Sequence, residues 1–224
     1  MILYVIRHGE TDLNREKRLQ GCLNIPLNEK GIELAKVTGE ALKAVPFDMV
    51  YTSPLIRARL TAELTVGPSE KCFGRKIPFI EDPRLAEIDF GDFEGLGCGE
   101  ENFALPGYTF KTFSRFYADP FHIDPFPNGE GVKEVIARTD DALQQIVNTP
   151  AYQDKIILVS THGCAGRAML NRYYEDKTDF WQGKVPYNCE VNILRTVNGR
   201  MQFVSKNQVY YDKSLCFDFY TPED

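Results

Sequence analysis

The chain has 224 residues, 43% of them hydrophobic and 26% charged, and a formal net charge of −6. These values are typical of a globular protein, and the length suits a single domain over residues 1–224 with room for a small insertion. The acidic balance argues against nucleic acid as a partner, and no stretch approaches the ~20 apolar residues of a membrane span, so no membrane partner is expected.

The beginning of the chain and its cysteines indicate the compartment. An apolar segment starts at the first residues, without the basic region and cleavage site of a secretory signal, which predicts a cytoplasmic location. The 6 cysteines form no CxxC pair, so reduced thiols and no metal site or other cofactor are expected. The sequence leaves the oligomeric state open.

Strand and helix patterns alternate along the chain. Apolar and alternating runs predict strands, the last two joined as a hairpin, at residues 2–6, 48–51, 77–80, 156–160, 190–197 and 201–210. Helical spacing and end signals predict helices after Asn28, from Ser53 until Gly67 and Pro68 break it, over residues 132–147 and over residues 163–173. Strands that alternate with helices imply an α/β sandwich.

Residues 90–128 are the exception, because they are rich in glycine, proline and aromatic residues and contain only one short helical candidate, at 112–118. An irregular stretch of this length inside a compact domain is usually functional, so we predict a lid insertion over the active site. Its aromatic side chains either form an apolar roof that selects the substrate or merely pack the insertion. They are Phe103, Tyr108, Phe110, Phe113, Phe116 and Tyr117.

Arg7 and His8 stand directly after the first predicted strand, followed by Gly9. Open α/β sheets bind ligands at this edge. A neutral imidazole there can attack phosphorus, and the adjacent guanidinium can hold the phosphoryl oxygens. The glycine permits close backbone packing, which can fix the tautomer of the ring. By itself this pattern is equally compatible with a structural histidine.

A second histidine repeats the arrangement, since His162 and Gly163 follow the predicted strand at 156–160 and open a helix. Helix N-termini offer free N–H groups to an anion. The chain has 3 histidines, and two of them lie at the ends of strands expected to be neighbours, so we expect His8 and His162 in one crevice. We assign no role to His122 in the irregular segment.

Two further segments supply charge. Arg57 follows the strand at 48–51 and can point into the same crevice, or it can be a solvated helix residue, as can Arg59. The segment at 85–95 places carboxylates between apolar and glycine positions, and one of them should serve as a general acid. The candidates are Glu87, Asp89, Asp92 and Glu94.

Together, these motifs resemble those of the histidine phosphatase superfamily, also called the phosphoglycerate mutase-like family. The resemblance covers nearly the whole chain and depends on six segments in family order. They are IRHGETDLN at 6–14, QGCLNIPLNEKG at 20–31, SPLIRARLTAEL at 53–64, LAEIDFGDFEG at 85–95, PNGEG at 127–131 and VSTHG at 159–163.

The resemblance implies a three-layer α/β/α sandwich with a mostly parallel central sheet and a small irregular or helical insertion. It implies that His8 is the nucleophile that becomes phosphorylated, and that Glu87 protonates the leaving oxygen and later activates water. The residues it places around the phosphoryl group are Arg7, Asn14, Arg57, His162 and Gly163. Two arginines and a second histidine can supply the charge that a metal ion provides in other enzymes.

Within this family, cofactor-dependent mutases resemble phosphatases but carry a longer insertion with paired arginines. Here about 33 residues separate Gly95 from Gly129, and Lys111 and Arg115 are the only lysine and arginine among them. A mutase must hold a second phosphate and exclude water, for which this segment is poorly equipped.

We therefore predict a metal-independent phosphomonoester hydrolase that acts on a small phosphorylated metabolite through phosphohistidine. The alternatives are a cofactor-dependent phosphoglycerate mutase and a non-catalytic protein that binds phosphate or a phosphoprotein. Leu60, Gly131 and Cys164 depart from residues common in the family, and they leave the pocket walls and the substrate open.

Overall fold

The structure is a computed structural model that describes residues 1–216. Six strands form one sheet at its centre: β1 (Ile2–Arg7), β2 (Met49–Thr52), β3 (Phe79–Glu81), β4 (Ile156–Thr161), β5 (Val191–Val197) and β6 (Arg200–Gln208). Their order across the sheet is β3-β2-β4-β1-β5-β6. Strands β1 to β4 are parallel, whereas β5 and β6 pair antiparallel, so the prediction of a mostly parallel sheet is confirmed.

The described residues contain four longer and three short helices. They are α1 (Asp12–Arg15), α2 (Glu29–Ala41), α3 (Ile56–Phe73), α4 (Phe110–Phe113), α5 (Arg115–Ala118), α6 (Val132–Asn148) and α7 (Gly163–Leu170). Asn28 caps α2, because its side-chain oxygen accepts a hydrogen bond from the amide of Gly31. None of the helices within residues 1–216 is both long and apolar enough to cross a membrane.

Helices cover both faces of the sheet, as its strand sequences require. Side chains alternate between the faces of a strand, so a strand covered on both sides is apolar throughout. Leu3 and Val5 of β1 pack in one cluster with residues of α6 and α7. Ile6 of β1 and Leu158 of β4 pack in another with residues of α2 and α3. The molecule is therefore a three-layer α/β/α sandwich, as predicted.

The helix predicted from Ser53 is α3. The prediction that Gly67 and Pro68 end it is wrong, because α3 continues to Phe73. A residue before proline normally avoids the helical conformation, since its Cβ meets the proline ring, but glycine has no Cβ. Beyond the proline, the buried Ser69 donates a hydrogen bond from its hydroxyl to the carbonyl of Val45, at 2.6 Å. Tertiary packing on the far side of Pro68 therefore keeps the helix intact.

The irregular segment at 90–128 folds as short helical turns around an aromatic cluster. The predicted helical candidate is present as α4 and α5. Phe113, Phe116 and Tyr117 are buried in a cluster that also contains Trp181. Ring edges meet ring faces in most of these contacts, for example at 5.5 Å between the centroids of Phe116 and Trp181. These aromatic residues do pack the insertion, and two of them also line the pocket described below.

Candidate active site

The two histidines lie side by side at the carboxyl ends of β1 and β4. Arg7 is paired with Thr161 in the parallel register of these strands, so the residues that follow them meet at one edge. The amide of His8 donates a hydrogen bond to the carbonyl of Thr161, at 3.0 Å. The ring centroids of His8 and His162 are 5.1 Å apart. The edge of the sheet that binds ligands in open α/β folds thus carries both imidazoles.

A hydrogen bond inside the chain fixes the tautomer of His8. Its Nδ1 lies 2.7 Å from the carbonyl oxygen of Gly9. Because a carbonyl oxygen only accepts hydrogen bonds, the proton is on Nδ1, and Nε2 keeps an unprotonated lone pair. A Cβ on residue 9 would lie 2.6 Å from the carbonyl oxygen of Gly31, so this backbone approach requires glycine. The chain therefore presents His8 as a nucleophile.

Burial and charge keep both imidazoles neutral. Burial lowers the pKa of His8 well below its ordinary value, and the guanidinium groups of Arg57 and Arg7 lower it further. The pKa of His162 is also lowered well below its ordinary value, first by burial and then by Arg57. Since a neutral imidazole is the form that attacks phosphorus, this environment favours the reactive state of His8.

Arg57 is a buried residue of α3, so its interpretation as a solvated helix residue is wrong. Its Nη1 donates to the carbonyl of Leu23 at 2.6 Å, and its Nη2 donates to that of Gly21 at 2.7 Å. Burial lowers its pKa to about 10, which leaves the guanidinium charged at neutral pH. Arg59, by contrast, is exposed and forms an ion pair with Glu63 on the surface.

Several buried side-chain nitrogens around His8 lack a hydrogen-bond partner in the described part of the chain. Arg7 donates from Nη1 to the carbonyl of Pro186, and His162 contacts the hydroxyl of Ser53 through Nε2. The remaining buried nitrogens of this region have no hydrogen-bond partner among the described residues. They are Arg7 Nε, Gln20 Nε2, Arg57 Nε and His162 Nδ1. Because buried polar groups are almost always paired, this set indicates a site for an anionic ligand.

Glu87 is the acidic residue that reaches this site. Its Oε1 accepts hydrogen bonds from the amides of Ile88 and Ala165, both at 2.9 Å, and its Oε2 accepts one from Cys164 at 3.1 Å. The carboxylate thus caps the N-terminus of α7, beside Gly163. The other acidic residues of the segment bind elsewhere: Asp89 accepts from Gly91, Asp92 from Asn128, and Glu94 from the loop at 21–23.

Glu94 holds the loop that binds Arg57. Its carboxylate accepts hydrogen bonds from the amides of Gly21 at 3.1 Å, Cys22 at 2.9 Å, Leu23 at 3.3 Å and Phe90 at 3.0 Å. The carbonyls of the same loop receive the guanidinium of Arg57. Glu94 therefore positions Arg57 through the backbone, a role that sequence reasoning missed because it depends on contacts between distant segments.

A pocket opens above His8, with roughly 480 Å³ of unfilled space that is partly open to solvent. Its polar lining includes Arg7, His8, Asn14, Gln20 and Glu87, and Arg18 and Gly163 also line it. The side-chain oxygen of Asn14 accepts a hydrogen bond from Asn188, which also donates to the carbonyl of His8. Arg57 and His162 do not line this pocket; both are fully buried next to it.

Six lining residues were not predicted: Arg18, Leu19, Gln20, Phe90, Trp181 and Val185. Gln20 opens a motif that the family resemblance included, so its position was a usable signal. Trp181 is the single tryptophan of the chain and lies in a stretch with no helix or strand periodicity, between α7 and β5. Its place in the pocket depends on packing against the segment at 90–128, which local sequence does not reveal.

A buried ion pair lies behind the site. Arg167 and Glu190 approach to 3.4 Å, and both side chains are almost completely buried. Lys184 adds a second cation to the Glu190 carboxylate, at 2.6 Å, and the amide of Tyr187 donates to it at 3.2 Å. This network fixes the chain between Lys184 and Glu190, which supplies the Pro186 carbonyl to Arg7.

The sequence pattern described as "Histidine phosphatase superfamily (branch 1)" matches residues 3–209. The chain belongs to this superfamily. Curated members resemble it over most of their length. The "Uncharacterized phosphatase PhoE" of Bacillus subtilis (strain 168) is 31% identical over 84% of this chain and 86% of its own. The 2,3-bisphosphoglycerate-dependent phosphoglycerate mutase 2 of Gloeobacter violaceus is 31% identical over 75% of this chain and 74% of its own.

Solved structures share the fold. Bacillus stearothermophilus YhfR superposes with a TM-score of 0.76 at 31% identity, over 93% of this chain and 97% of its own. The alpha-ribazole phosphatase from Shigella flexneri superposes with a TM-score of 0.74 at 26% identity, over 93% of this chain and 96% of its own. The family and the phosphoglycerate mutase-like fold expected from the sequence are therefore confirmed.

Proposed function

We propose that the chain is a metal-independent phosphomonoester hydrolase that acts on a small phosphorylated metabolite through a phosphohistidine intermediate. The observation that carries this proposal is the bond from His8 Nδ1 to the Gly9 carbonyl, which leaves Nε2 as a nucleophile at the floor of the pocket. The unpartnered donors around it support an anionic substrate.

In the first half of the proposed reaction, His8 Nε2 attacks phosphorus. The N–P bond forms while the bond from phosphorus to the alcohol oxygen breaks, and the alcohol oxygen takes a proton from Glu87. Arg7, Arg57 and His162 stabilise the charge of the transferring group, and Asn14 and Gly163 bind next to it. In the second half, Glu87 removes a proton from a water molecule, whose oxygen attacks phosphorus. The N–P bond breaks, which releases inorganic phosphate and restores neutral His8.

The two oxygens of Glu87 differ in a way that supports this role. Oε1 accepts two backbone hydrogen bonds and Oε2 accepts one. Oε2 therefore keeps more capacity to carry the transferred proton. It would lie 3.6 Å from a Cβ on Gly163, a residue that also lines the pocket. Any side chain on residue 163 would stand between Glu87 and Arg7, since Arg7 Nε is also 3.6 Å from that Cβ.

The proposed reaction uses protein charge alone. Two guanidinium groups and two imidazoles surround the site, and their hydrogen-bond donors match the non-bridging oxygens of a phosphoryl group. Within residues 1–216, no group of three or more His, Cys, Asp and Glu side chains is arranged to hold a metal ion. Catalysis in the presence of EDTA is the direct test of this part of the proposal.

The main alternative is a cofactor-dependent phosphoglycerate mutase, which the 31% identity to a curated mutase favours. Hydrolysis is supported by the short segment at 90–128. We propose that this segment is a lid over the pocket, inserted in a single domain. Phe90, Phe116 and Tyr117 from this segment line the pocket with apolar surface rather than with a cation for a second phosphate.

A cytoplasmic location stays a prediction from the sequence.

The test is phosphate release from a panel of phosphomonoesters and from 3-phosphoglycerate, with EDTA present, by the wild type, His8→Ala and the matched control His122→Ala. His122 is exposed and bonded to Asp119, so its loss removes an imidazole outside the site. Hydrolysis by the wild type and His122→Ala, lost in His8→Ala, is the expected result. Isomerisation of 3-phosphoglycerate without release would establish the mutase instead, and tight binding without turnover would establish a non-catalytic phosphate-binding protein.

A further inference from the structure

The pocket has two chemically distinct halves. One part, which we call the floor, carries the polar residues described above, whereas the other part, which we call the wall, is apolar and aromatic and belongs to a single hydrophobic cluster. The wall consists of Leu19, Phe90, Phe116, Tyr117, Trp181 and Val185. A phosphoryl group bound at His8 would direct the alcohol portion of its ester toward this wall, because the floor is occupied by the groups that bind the phosphoryl oxygens.

The wall presents apolar surface in a fixed arrangement. The indole N–H of Trp181 donates to the carbonyl of Phe116, at 3.1 Å, so the only hydrogen-bond donor of the indole is already used. The ring of Phe116 also packs against that of Phe90, with centroids 5.8 Å apart. Tryptophan and phenylalanine therefore offer faces and edges of rings to a ligand, and two distant segments of the chain are joined in one surface.

Cations for a second anionic group are scarce in this pocket. Among the lining residues within 1–216, Arg18 is the only lysine or arginine apart from Arg7 on the floor. Its Nε donates to the carbonyl of Gly95 at 2.6 Å, and its Nη1 is 3.4 Å from the carboxylate of Glu16. Two of its guanidinium nitrogens are therefore directed at partners outside the pocket's polar floor.

Cys164 extends the apolar surface to the edge of the floor. Its side chain is buried and lines the pocket next to Glu87, whose carboxylate accepts its amide hydrogen. Burial, and then the nearby Glu87 charge, raise the pKa of this thiol well above its ordinary value. A protonated thiol behaves as a small hydrophobic group, so the junction between floor and wall is apolar as well.

We propose that this wall selects phosphomonoesters whose alcohol portion is an apolar chain or ring without a second phosphate or carboxylate. The proposal builds on the hydrolase function proposed above and names its substrate class. Burying each further methylene of such a ligand against the wall increases affinity roughly threefold to fourfold. A polyhydroxylated or carboxylated alcohol would lose hydration against the rings of Phe90, Phe116 and Trp181, which offer it no hydrogen-bond partner.

The experiment measures binding of ethyl-, butyl- and hexylphosphonate by calorimetry. These compounds share one headgroup, and their C–P bond prevents turnover, so the result is independent of hydrolysis. For the wild type, we expect Kd to fall roughly tenfold for each added pair of methylenes. We also expect 3-phosphonopropionate to bind more weakly than butylphosphonate. Equal Kd values along the series, or tighter binding of 3-phosphonopropionate, would overturn the proposal.

Variants of the wall locate the effect. Trp181→Leu and the nearly isosteric Val185→Thr should each flatten the dependence of Kd on chain length while leaving the Kd of ethylphosphonate within about threefold of the wild-type value. Val185→Thr keeps the test available if Trp181→Leu does not fold. The exposed Lys177 of the same loop provides the control, since Lys177→Ala should keep the wild-type dependence. If both wall variants kept the wild-type dependence of Kd on chain length, the wall would not be the surface that binds the alcohol portion.

Hydrolysis of butyl phosphate is measured in parallel. A steep phosphonate series from a protein that releases no phosphate would overturn the hydrolase function while supporting the ligand class. Rapid hydrolysis of butyl phosphate together with equal Kd values along the phosphonate series would support the hydrolase function and overturn the proposed ligand class.

Discussion

The rings of His8 and His162 lie 5.1 Å apart, and both are buried beside the guanidinium groups of Arg7 and Arg57. The folded protein therefore holds two imidazoles whose pKa values are well below that of an exposed histidine. An unfolded chain binds a proton on each of them near pH 6.5, and the folded chain does not. The stability of the protein should consequently fall as pH drops through 6.5, until the pH reaches the lowered pKa of the folded state.

This linkage can be measured by urea unfolding between pH 7.5 and 5.5. Over this interval, each buried histidine should contribute a loss of about 1.4 kcal/mol in the free energy of unfolding. His8→Asn should remove one such contribution, whatever its effect on stability at pH 7.5. The exposed His122, replaced in the same way, is the control. A pH dependence in His8→Asn that matches the wild type would show that His8 is not held neutral.

Gly9→Ala should impair both stability and activity. The added Cβ would lie 2.6 Å from the carbonyl oxygen of Gly31, and the backbone would have to move away. We expect a loss of about 1–3 kcal/mol in stability. We also expect a decrease in kcat of at least about tenfold, because the carbonyl that fixes the His8 tautomer is displaced.

The control for this change is Gly166→Ala, in which the new Cβ meets Thr161 at 3.5 Å, an ordinary contact on α7. Steady-state kinetics and urea unfolding of both variants provide the comparison. Equal activity in the two variants would disprove the role of the Gly9 carbonyl.

Glu94→Gln should weaken phosphate binding without altering the nucleophile. The carboxylate accepts from four amides, three of them in the loop at 21–23 that binds Arg57. Loss of its charge should loosen this loop, raise the Kd for inorganic phosphate and lower kcat/KM by about tenfold or more. Calorimetry with inorganic phosphate, together with steady-state kinetics, measures both effects.

Asp92→Asn is the matched control from the same acidic segment, since Asp92 accepts its hydrogen bonds from the exposed Asn128. It should leave phosphate affinity nearly unchanged. If Glu94→Gln lowered only the free energy of unfolding and left phosphate affinity at the wild-type value, Glu94 would be a purely structural residue.

The buried pair of Arg167 and Glu190 should matter far more for stability than an exposed pair. Arg167→Met removes one of the two ion-pair partners that the described residues give the completely buried Glu190 carboxylate and leaves Lys184, and we expect a loss of about 3–5 kcal/mol. Arg172→Met removes an ion pair with Asp140 whose arginine is about half exposed, and a loss of at most about 1 kcal/mol is expected. Urea unfolding at one pH compares the two, and similar losses would disprove the argument.

The sequence predicted those strands and helices whose hydrophobic pattern lies within the element itself. The apolar run at β1 and the helical spacing of α6 need no knowledge of the rest of the chain. The rule that ligands bind at the carboxyl ends of parallel strands then predicted that His8 and His162 lie in one crevice. The same local approach failed at Pro68, because packing against Val45 outweighs the tendency of proline to end a helix.

Pairwise relationships between distant segments were not predictable in this way. Glu94 and Gly21 are 73 positions apart, and Trp181 and Phe116 are 65 apart, yet each pair is joined by a hydrogen bond that shapes the site. Such contacts depend on how the loops pack once the sheet has formed. The position of Arg57 was open for the same reason, because the carbonyls that bind it belong to a loop whose path no local pattern specifies.

The hydrogen bond between Trp181 and Phe116 joins two segments that contain none of the phosphoryl-binding residues. Mutations in either segment can therefore reshape the wall of the pocket while the reacting groups, fixed to strand ends and helix starts, keep their geometry. Selection can act on the choice of alcohol and on the phosphoryl chemistry separately.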